Sequence, residues 1–317
     1  MTDVAVLLAT YNGAAHLEAQ LASIAAQQPV DWRLLWRDDA SRDATPELLR
    51  SFAEGEGAGR VTRITGPQGR AGAAGSFMAL LAAAPEAGAY AFCDQDDVWL
   101  PGKLARALRR LEEVPPGQPA LYCARQRLVD AALRPIGLSP VPPKPPAFRN
   151  ALVQNIVTGC TAVLNPAARR LMLAAPAVPP GSLHDWWSYL MVTGAGGTVI
   201  FDPEPALLYR QHGGNAVGSP ASAGRRAVAA LQRGARAFLT LFQAHLAALD
   251  RARPLLTPDS RALLDLLRPL PELSPLARCR RLRRAGLYRQ GRLEDLMLRL
   301  WFLLEAPAAL PPGRPSG

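Results

Sequence analysis

Asp94-Gln95-Asp96-Asp97 sets three carboxylates within four residues, directly behind the apolar run Ala89–Cys93. Acids crowded at the end of a buried strand repel one another and are partly desolvated, a cost that a cation or hydrogen-bond donors must offset. Strand C-termini in open parallel sheets are also where ligands bind. A hard divalent cation, Mg²⁺ or Mn²⁺, prefers oxygen ligands and often keeps part of its shell for substrate phosphates. The pattern points to metal-assisted chemistry on a phosphorylated substrate. The competing reading is a solvated turn whose acids cap the next helix. An EF-hand is excluded: counting from Asp94, the sixth position is Trp99 and the twelfth is Ala105, where glycine and glutamate are required.

A second acidic group, Asp38-Asp39-Ala40-Ser41-Arg42-Asp43, follows another short apolar run. A strand-end carboxylate can accept a hydrogen bond from a base imide N–H or a ribose hydroxyl, or the same residues can form a turn that bonds its own backbone. Tyr11 ends the first strand in Ala9-Thr10-Tyr11-Asn12-Gly13. It can stack on a nucleobase or pack beside its own helix. No GxGxxG follows that strand and no GxxxxGK[ST] occurs, which disfavours a dehydrogenase-type dinucleotide fold and excludes a P-loop.

The elements that must position these groups alternate. Residues 4–10, 33–37, 61–65 and 89–93 read as strands. Helices are expected from Leu17, Leu21 and Ile24, from a Thr45 N-cap with Pro46 at the first position, from residues 76–84, and from Leu104, Leu108 and Leu111. This β-α alternation predicts an α/β fold: a mostly parallel sheet covered by helices on both faces. Residues 121–129 follow as a strand, 135–146 as a proline-rich loop, 157–164 as a strand, 184–192 as a helix, and 197–201 and 206–209 as two strands. From Ser219 leucine, alanine and arginine dominate and strand signals cease, so residues 219–317 are expected to form an α-helical C-terminal extension.

Net charge is +10, but residues 1–218 balance at 19 basic and 19 acidic residues. Residues 219–317 hold 17 arginines against 7 acids, so the surplus belongs to the extension. Its basic helices fit either an anionic membrane surface or packing on the catalytic half or a second subunit. No aromatic interleaving supports nucleic acid as a partner. No charge-free apolar run reaches the ~18 residues of a membrane span. The start Met1-Thr2-Asp3-Val4 has no basic region or cleavage site, so no signal peptide is expected. Cys93, Cys123, Cys160 and Cys279 are widely spaced and read as reduced thiols of a cytoplasmic protein.

Taken together, the groups 9–13, 38–45 and 94–97 resemble family 2 glycosyltransferases of the GT-A fold, which are inverting enzymes using nucleotide-activated sugars. The resemblance extends to about residue 218 through Gly69-Arg70-Ala71-Gly72, Trp99-Leu100-Pro101-Gly102-Lys103-Leu104, His184-Asp185-Trp186-Trp187 and Tyr209-Arg210-Gln211-His212-Gly213-Gly214-Asn215. The last two resemble the rhamnosyltransferase-like branch, whose donor is commonly dTDP-rhamnose. The resemblance implies a catalytic domain over 1–218, with a nucleotide-binding half (1–115) and an acceptor-binding half (116–218). It implies that Thr10, Tyr11, Asn12, Asp39 and Asp96 serve the nucleotide, and that Gly72, Lys103, Arg210 and His212 serve the sugar and diphosphate. Asp97 and His212 would hold the metal, and Trp186 and Trp187 would face the acceptor. Asp185 matches the base that takes a proton from the acceptor hydroxyl, and its burial would raise its pKa toward useful basicity. The competing readings are an N-cap aspartate starting an amphipathic helix for Asp185, a structural neighbour for His184, and a solvated strand exit for Arg210. Arg37 departs from the family, which usually has a small apolar residue there; it either alters the base pocket or points outward.

The expected activity is transfer of a sugar from a dTDP- or UDP-linked donor to a hydroxyl of a saccharide or lipid-linked acceptor, at the inner face of the cell membrane. The rivals are a sugar-1-phosphate nucleotidyltransferase, for which the glycine- and arginine-rich loop after the first strand is missing, and a non-catalytic nucleotide- or carbohydrate-binding module.

Overall fold

The computed structural model describes residues 3–65, 70–211, 223–305 and 307, with residues 223–233 described by backbone alone. His212, Gly69 and residues 213–215 lie outside the described residues.

The first half is the expected alternation: β1 (Asp3–Thr10), α1 (Ala14–Ala25), β2 (Asp31–Asp38), α2 (Thr45–Glu54), β3 (Val61–Arg63), α3 (Gly72–Ala83), β4 (Ala89–Cys93), β5 (Val98–Trp99) and α4 (Lys103–Glu112). The second half continues with β6 (Ala120–Val129), β7 (Pro135–Leu138), α5 (Phe148–Ala151), β8 (Val163–Leu164), α6 (Pro166–Ala174), α7 (His184–Gly194) and β9 (Thr198–Arg210). Helices α8 (Ala223–Arg251), α9 (Pro258–Leu267), α10 (Pro275–Ala285) and α11 (Arg292–Leu304) complete the chain order; α8 is broken at Gly234, whose φ of 77° is left-handed.

Among the described residues the strands form one sheet in the order β3-β2-β1-β4-β8-β6-β9-β5, with β7 beside β6. β3, β2, β1 and β4 are parallel, β8 runs antiparallel between β4 and β6, and β6 and β9 are parallel. The register decides which loops meet. Thr10 lies opposite Asp38, and Leu8 opposite Cys93. The C-terminal ends of β1, β2 and β4 therefore open on one edge, which brings the loops carrying Tyr11, Asp39 and Asp94–Asp97 together.

Several boundaries differ from the sequence expectation. The two strands expected at 197–201 and 206–209 are one strand, β9, which passes Pro203 and Pro205 by a register shift against β6; a proline cannot donate to a ladder and sits at such irregularities. Within 157–164 only Val163–Leu164 pairs as a strand, because Gly159–Thr161 forms a 3₁₀ turn. The proline-rich loop contains β7. Thr45 does not cap α2: its hydroxyl donates to Asp43 and accepts from the Gly13 N–H.

The sheet has a core on each face. One, with Leu17, Trp32, Leu49 and Leu104, lies under α1, α2 and α4. The other runs without interruption from Phe77, Phe92 and Trp187 to Leu239, Phe242, Leu264, Leu282 and Phe302. Helices α8–α11 thus pack on the sheet's own layer and bury their apolar faces in it. No helix among the described residues is long and apolar enough to cross a membrane.

Candidate active site

The loop after β1 is fixed by its neighbours. The Asn12 N–H donates to Ser41, the Gly13 N–H to Thr45 and the Ala14 N–H to Asp43. Asn12 has a φ of 48°, and its side-chain oxygen accepts from the Arg42 N–H. Gln95, inside the acidic run, bonds the backbone of Tyr11 twice: it accepts from the N–H at 2.8 Å and donates to the carbonyl at 2.9 Å. The aromatic loop and the acidic loop are therefore tied by one side chain that sequence reasoning passed over. Tyr11 is 37% exposed, with the Arg70 guanidinium 3.8 Å from its ring centre. Thr10, expected to meet the nucleotide, is buried and donates to Asp38 at 3.0 Å, so its hydroxyl organises the turn instead.

Asp39 is buried and accepts from Arg37 at 2.9 Å and from the N–H groups of Ala71 (2.7 Å) and Gly72 (2.9 Å). Burial opposes its charge, but the three donors outweigh it and lower its pKa, so Asp39 is ionised. The outward alternative for Arg37 is corrected: the side chain turns inward and also donates to Ser76. Only the pairing of β2 with the start of α3 makes that burial tolerable, and no local pattern announces it. Gly72, at φ 67°, donates its N–H to Asp39 while the residue itself is exposed, with open space where a side chain would stand.

In the acidic run, Asp94 and Asp96 are half-buried and Asp97 is fully buried. Desolvation first, then the charge of Asp96, pushes Asp97 up to about 7, although the nearby Cys160 thiol and the Arg210 N–H, which donates to Oδ1 at 3.2 Å, favour the charged form. Asp94 is raised by desolvation and by Asp97, Asp96 and Asp185. That last contribution places the α7 acid within electrostatic reach of the cluster. Lys103 lies beneath: it is fully buried, donates to the Cys160 carbonyl at 2.9 Å, and sits 3.2 Å from the centre of the Trp99 ring. Burial brings its pKa down to about 8, against the pull of the nearby acids. Direct contact of Lys103 with a diphosphate is corrected to a counter-charge under the cluster. Arg210 is corrected likewise. It is buried and donates to the carbonyls of Asp96 (2.9 Å) and Ala131 (2.5 Å), so it holds the acidic loop.

Asp94, Asp97 and Cys160 offer ligand atoms within 4.8 Å of one another. Asp97 Oδ2 is buried without a hydrogen-bond partner, a costly state that a cation would relieve. Burial and the neighbouring acids push the Cys160 thiol well up, so it remains a proton donor and a poor ligand for a hard ion. The two carboxylates fit a divalent cation; no soft-metal site is needed to explain them.

Asp185 occupies the first turn of α7, buried, with Oδ2 accepting from the Gly159 N–H (3.0 Å) and Oδ1 from the Trp186 N–H (2.6 Å). Desolvation wins over these donors and over Asn155, raising Asp185 to about 6. A carboxylate with that pKa, held in a fixed orientation, suits proton abstraction near neutral pH. His184 is sandwiched by Phe77 and Phe92, at centroid distances of 4.0 and 4.6 Å, and burial lowers it to about 3, so it is neutral and no base. Trp186 is half-buried, donating to the Ala151 carbonyl with its ring 4.9 Å from that of His245. Trp187, expected at the acceptor, is corrected: it is fully buried in the core and donates to the Pro176 carbonyl.

The 3₁₀ turn at Gly159 escapes sequence reasoning because a lone glycine carries no motif. A Cβ there would lie 2.8 Å from His184 Nε2. Gly159→Ala is expected to cost about 2 kcal/mol of stability by overpacking and to lower turnover by displacing the N–H that aims Asp185. Thermal melts and steady-state rates on the purified variant check both.

Residues 5–160 match the family model "Glycosyl transferase family 2". The chain is 27% identical over 229 residues to dTDP-rhamnosyl transferase RfbG of Shigella flexneri, covering 67% of this chain and 74% of that protein. It is 33% identical over 103 residues to an uncharacterized glycosyltransferase, alr2836, of Nostoc sp., covering 32% and 31%. Among solved structures, TarS 1-349 of S. aureus in complex with UDP-GlcNAc is similar at a TM-score of 0.56 and 14% identity, over 95% of this chain and 90% of that one. Mannosyltransferase PcManGT from Pyrobaculum calidifontis, in complex with GDP-Man and Mn²⁺, gives 0.52 and 20%, over 89% and 85%. At those identities the structural likeness is one of fold. Residues 5–160, which carry the strand-end acids Asp39 and Asp94–Asp97 on one sheet edge, are those of a family 2 glycosyltransferase on a GT-A fold, and Asp185, in the first turn of α7, lies beyond the matched segment.

Proposed function

We propose that the protein is an inverting glycosyltransferase that moves a sugar, rhamnose the leading choice, from a dTDP- or UDP-linked donor to a hydroxyl of a saccharide or lipid-linked acceptor. The observation that carries this reading is the strand-end acid cluster itself, where Asp94 and Asp97 offer ligand atoms within 4.8 Å of each other and a buried Asp97 oxygen has no hydrogen-bond partner. The rhamnosyl donor rests on the likeness to RfbG. A cytoplasmic location is part of the proposal; the four cysteines are free thiols.

Each residue then has a defined role. Asp94 and Asp97 would hold Mg²⁺ or Mn²⁺, which when bound offsets the negative charge of a diphosphate. Asp96, half-buried beside them, faces the nucleotide side. Asp39 keeps lone-pair capacity for a base imide N–H while anchoring Ala71 and Gly72, and Tyr11 offers a ring to the base. Asp185 takes the acceptor's proton as its oxygen attacks the sugar carbon from the side opposite the leaving group, the geometry that inverts configuration. Trp186 presents an apolar face to the acceptor. Lys103 and Arg210 hold the cluster in shape, and His212 is proposed at the diphosphate.

A thermal-shift panel of nucleotide-sugars with Mn²⁺ tests this reading. A ligand at a hundredfold excess over its Kd adds about 2.7 kcal/mol to native stability. The expected result is a rise in Tm with dTDP- or UDP-sugars that EDTA abolishes. A rise with GDP-sugars alone overturns the donor assignment, and release of pyrophosphate during turnover would make the enzyme a nucleotidyltransferase.

A further inference from the structure

We propose that the outer face of α10 and α11 is a docking surface for an anionic lipid bilayer. The inference stands on surface chemistry and is independent of the transfer reaction. On α11, Leu293, Leu296, Leu300, Leu303 and Leu304 are 57, 62, 46, 36 and 69% exposed. Their spacing of three and four residues puts them along one side of the helix, with buried Leu298 and Phe302 on the far side and buried Met297 and Trp301 on the flank between. Unpartnered leucines in an unbroken row are uncommon on a soluble surface and mark a contact face.

Helix α10 lies alongside. Arg278 donates to the Phe302 carbonyl at 2.8 Å, and Cys279 lies 3.9 Å from the Arg299 carbonyl. This pairing turns one side of α10 inward and leaves Leu276 (65% exposed), Arg280, Arg283 and Arg284 outside. Arg280, Arg281 and Arg284 line a cavity of about 220 Å³ floored by Leu273 and Ala277. Three other arginines of the extension are neutralised: Arg253 pairs with Asp250 and Asp265, Arg268 with Asp250, and Arg299 with Asp295. Arg280, Arg281, Arg283 and Arg284 make no salt bridge among the described residues.

An apolar row flanked by uncompensated arginines narrows the occupant. A second copy meeting this face about a two-fold axis would bring arginine against arginine, which repels. A lipid surface satisfies both features, with acyl chains receiving the leucines and headgroup phosphates the guanidinium groups. The cavity among the three arginines is the natural seat for one such phosphate.

Co-sedimentation of the full chain with phosphatidylcholine vesicles, with and without phosphatidylglycerol, tests the proposal. Binding is expected only to the phosphatidylglycerol vesicles and is expected to weaken as salt rises. Arg280→Gln with Arg284→Gln should lower partition about fivefold per charge. Leu296→Glu with Leu300→Glu should abolish it. Both pairs are surface positions, so melting temperature and donor hydrolysis in detergent-free buffer should stay at wild-type values, which separates a failure here from a failure of the catalytic reading. The proposal is overturned if wild type ignores both vesicles, if it binds both equally, or if it elutes as a dimer that the leucine pair splits, which would make the face a self-interface.

Discussion

Asp185→Asn is expected to lower transfer by about 10²–10⁴-fold while leaving donor affinity unchanged. The carboxylate accepts from two backbone N–H groups, one at each oxygen. An amide can satisfy only one of them, so a cost of about 1–3 kcal/mol sets against the relief of no longer burying a charge. The variant should therefore fold. Calorimetry with donor and metal, alongside a rate assay, separates the two properties. The wild-type pH profile supplies an independent check. A base must be ionised, so kcat/KM should rise with pH through about 6 and then level, and the variant should lack that limb. The linkage to stability has the opposite sense. The folded protein binds this proton more tightly than the unfolded chain does, so the group's favourable contribution is complete below the unfolded value of 3.8 and is lost as pH rises through about 6. Near-wild-type transfer by Asp185→Asn would end the base assignment.

Lys103→Met should be among the most destabilising single changes in the catalytic half. It leaves buried Asp97, half-buried Asp94 and the Cys160 carbonyl without their cation. Breaking a buried charge set by removing one partner costs about 3–5 kcal/mol, on the order of a 10 °C fall in Tm for a chain of this size. Methionine roughly keeps the volume, so the loss reports charge and not packing. Added Mn²⁺ should restore part of the lost Tm, because a second cation takes over the compensation. A variant that melts with the wild type, or that Mn²⁺ leaves unmoved, would show that the ammonium does not counter these acids.

Most of the catalytic edge was legible because it is written locally. An apolar run that stops at an acid names both a strand and its end, as at Asp38 and at Cys93-Asp94, and parallel pairing sets both beside β1, with Thr10 opposite Asp38 and Leu8 opposite Cys93. Tertiary compensation was not legible. Nothing near Arg37 says that Ser76 and Asp39 will enclose it, and nothing near Lys103 or Arg210 says that their charges are swallowed by the loop they support. Trp187 reads as a sugar platform only until the helix phase is known, since Trp186 beside it takes the open side. Residues 157–164 look like a strand by composition, yet the turn at Gly159 must break it to deliver the N–H that holds Asp185. The extension's helices were clear from periodicity, whereas their merging with the sheet's own core depends on shape.

That merging has an evolutionary corollary. Because Leu239, Phe242, Leu264 and Phe302 fill the same interior as Phe92 and Trp187, a recombination breakpoint near residue 218 would leave an oily wound on both fragments. Whatever address the last four helices confer, a descendant inherits it together with the reaction, and can retune it only by surface changes, never by exchanging the tail as a cassette.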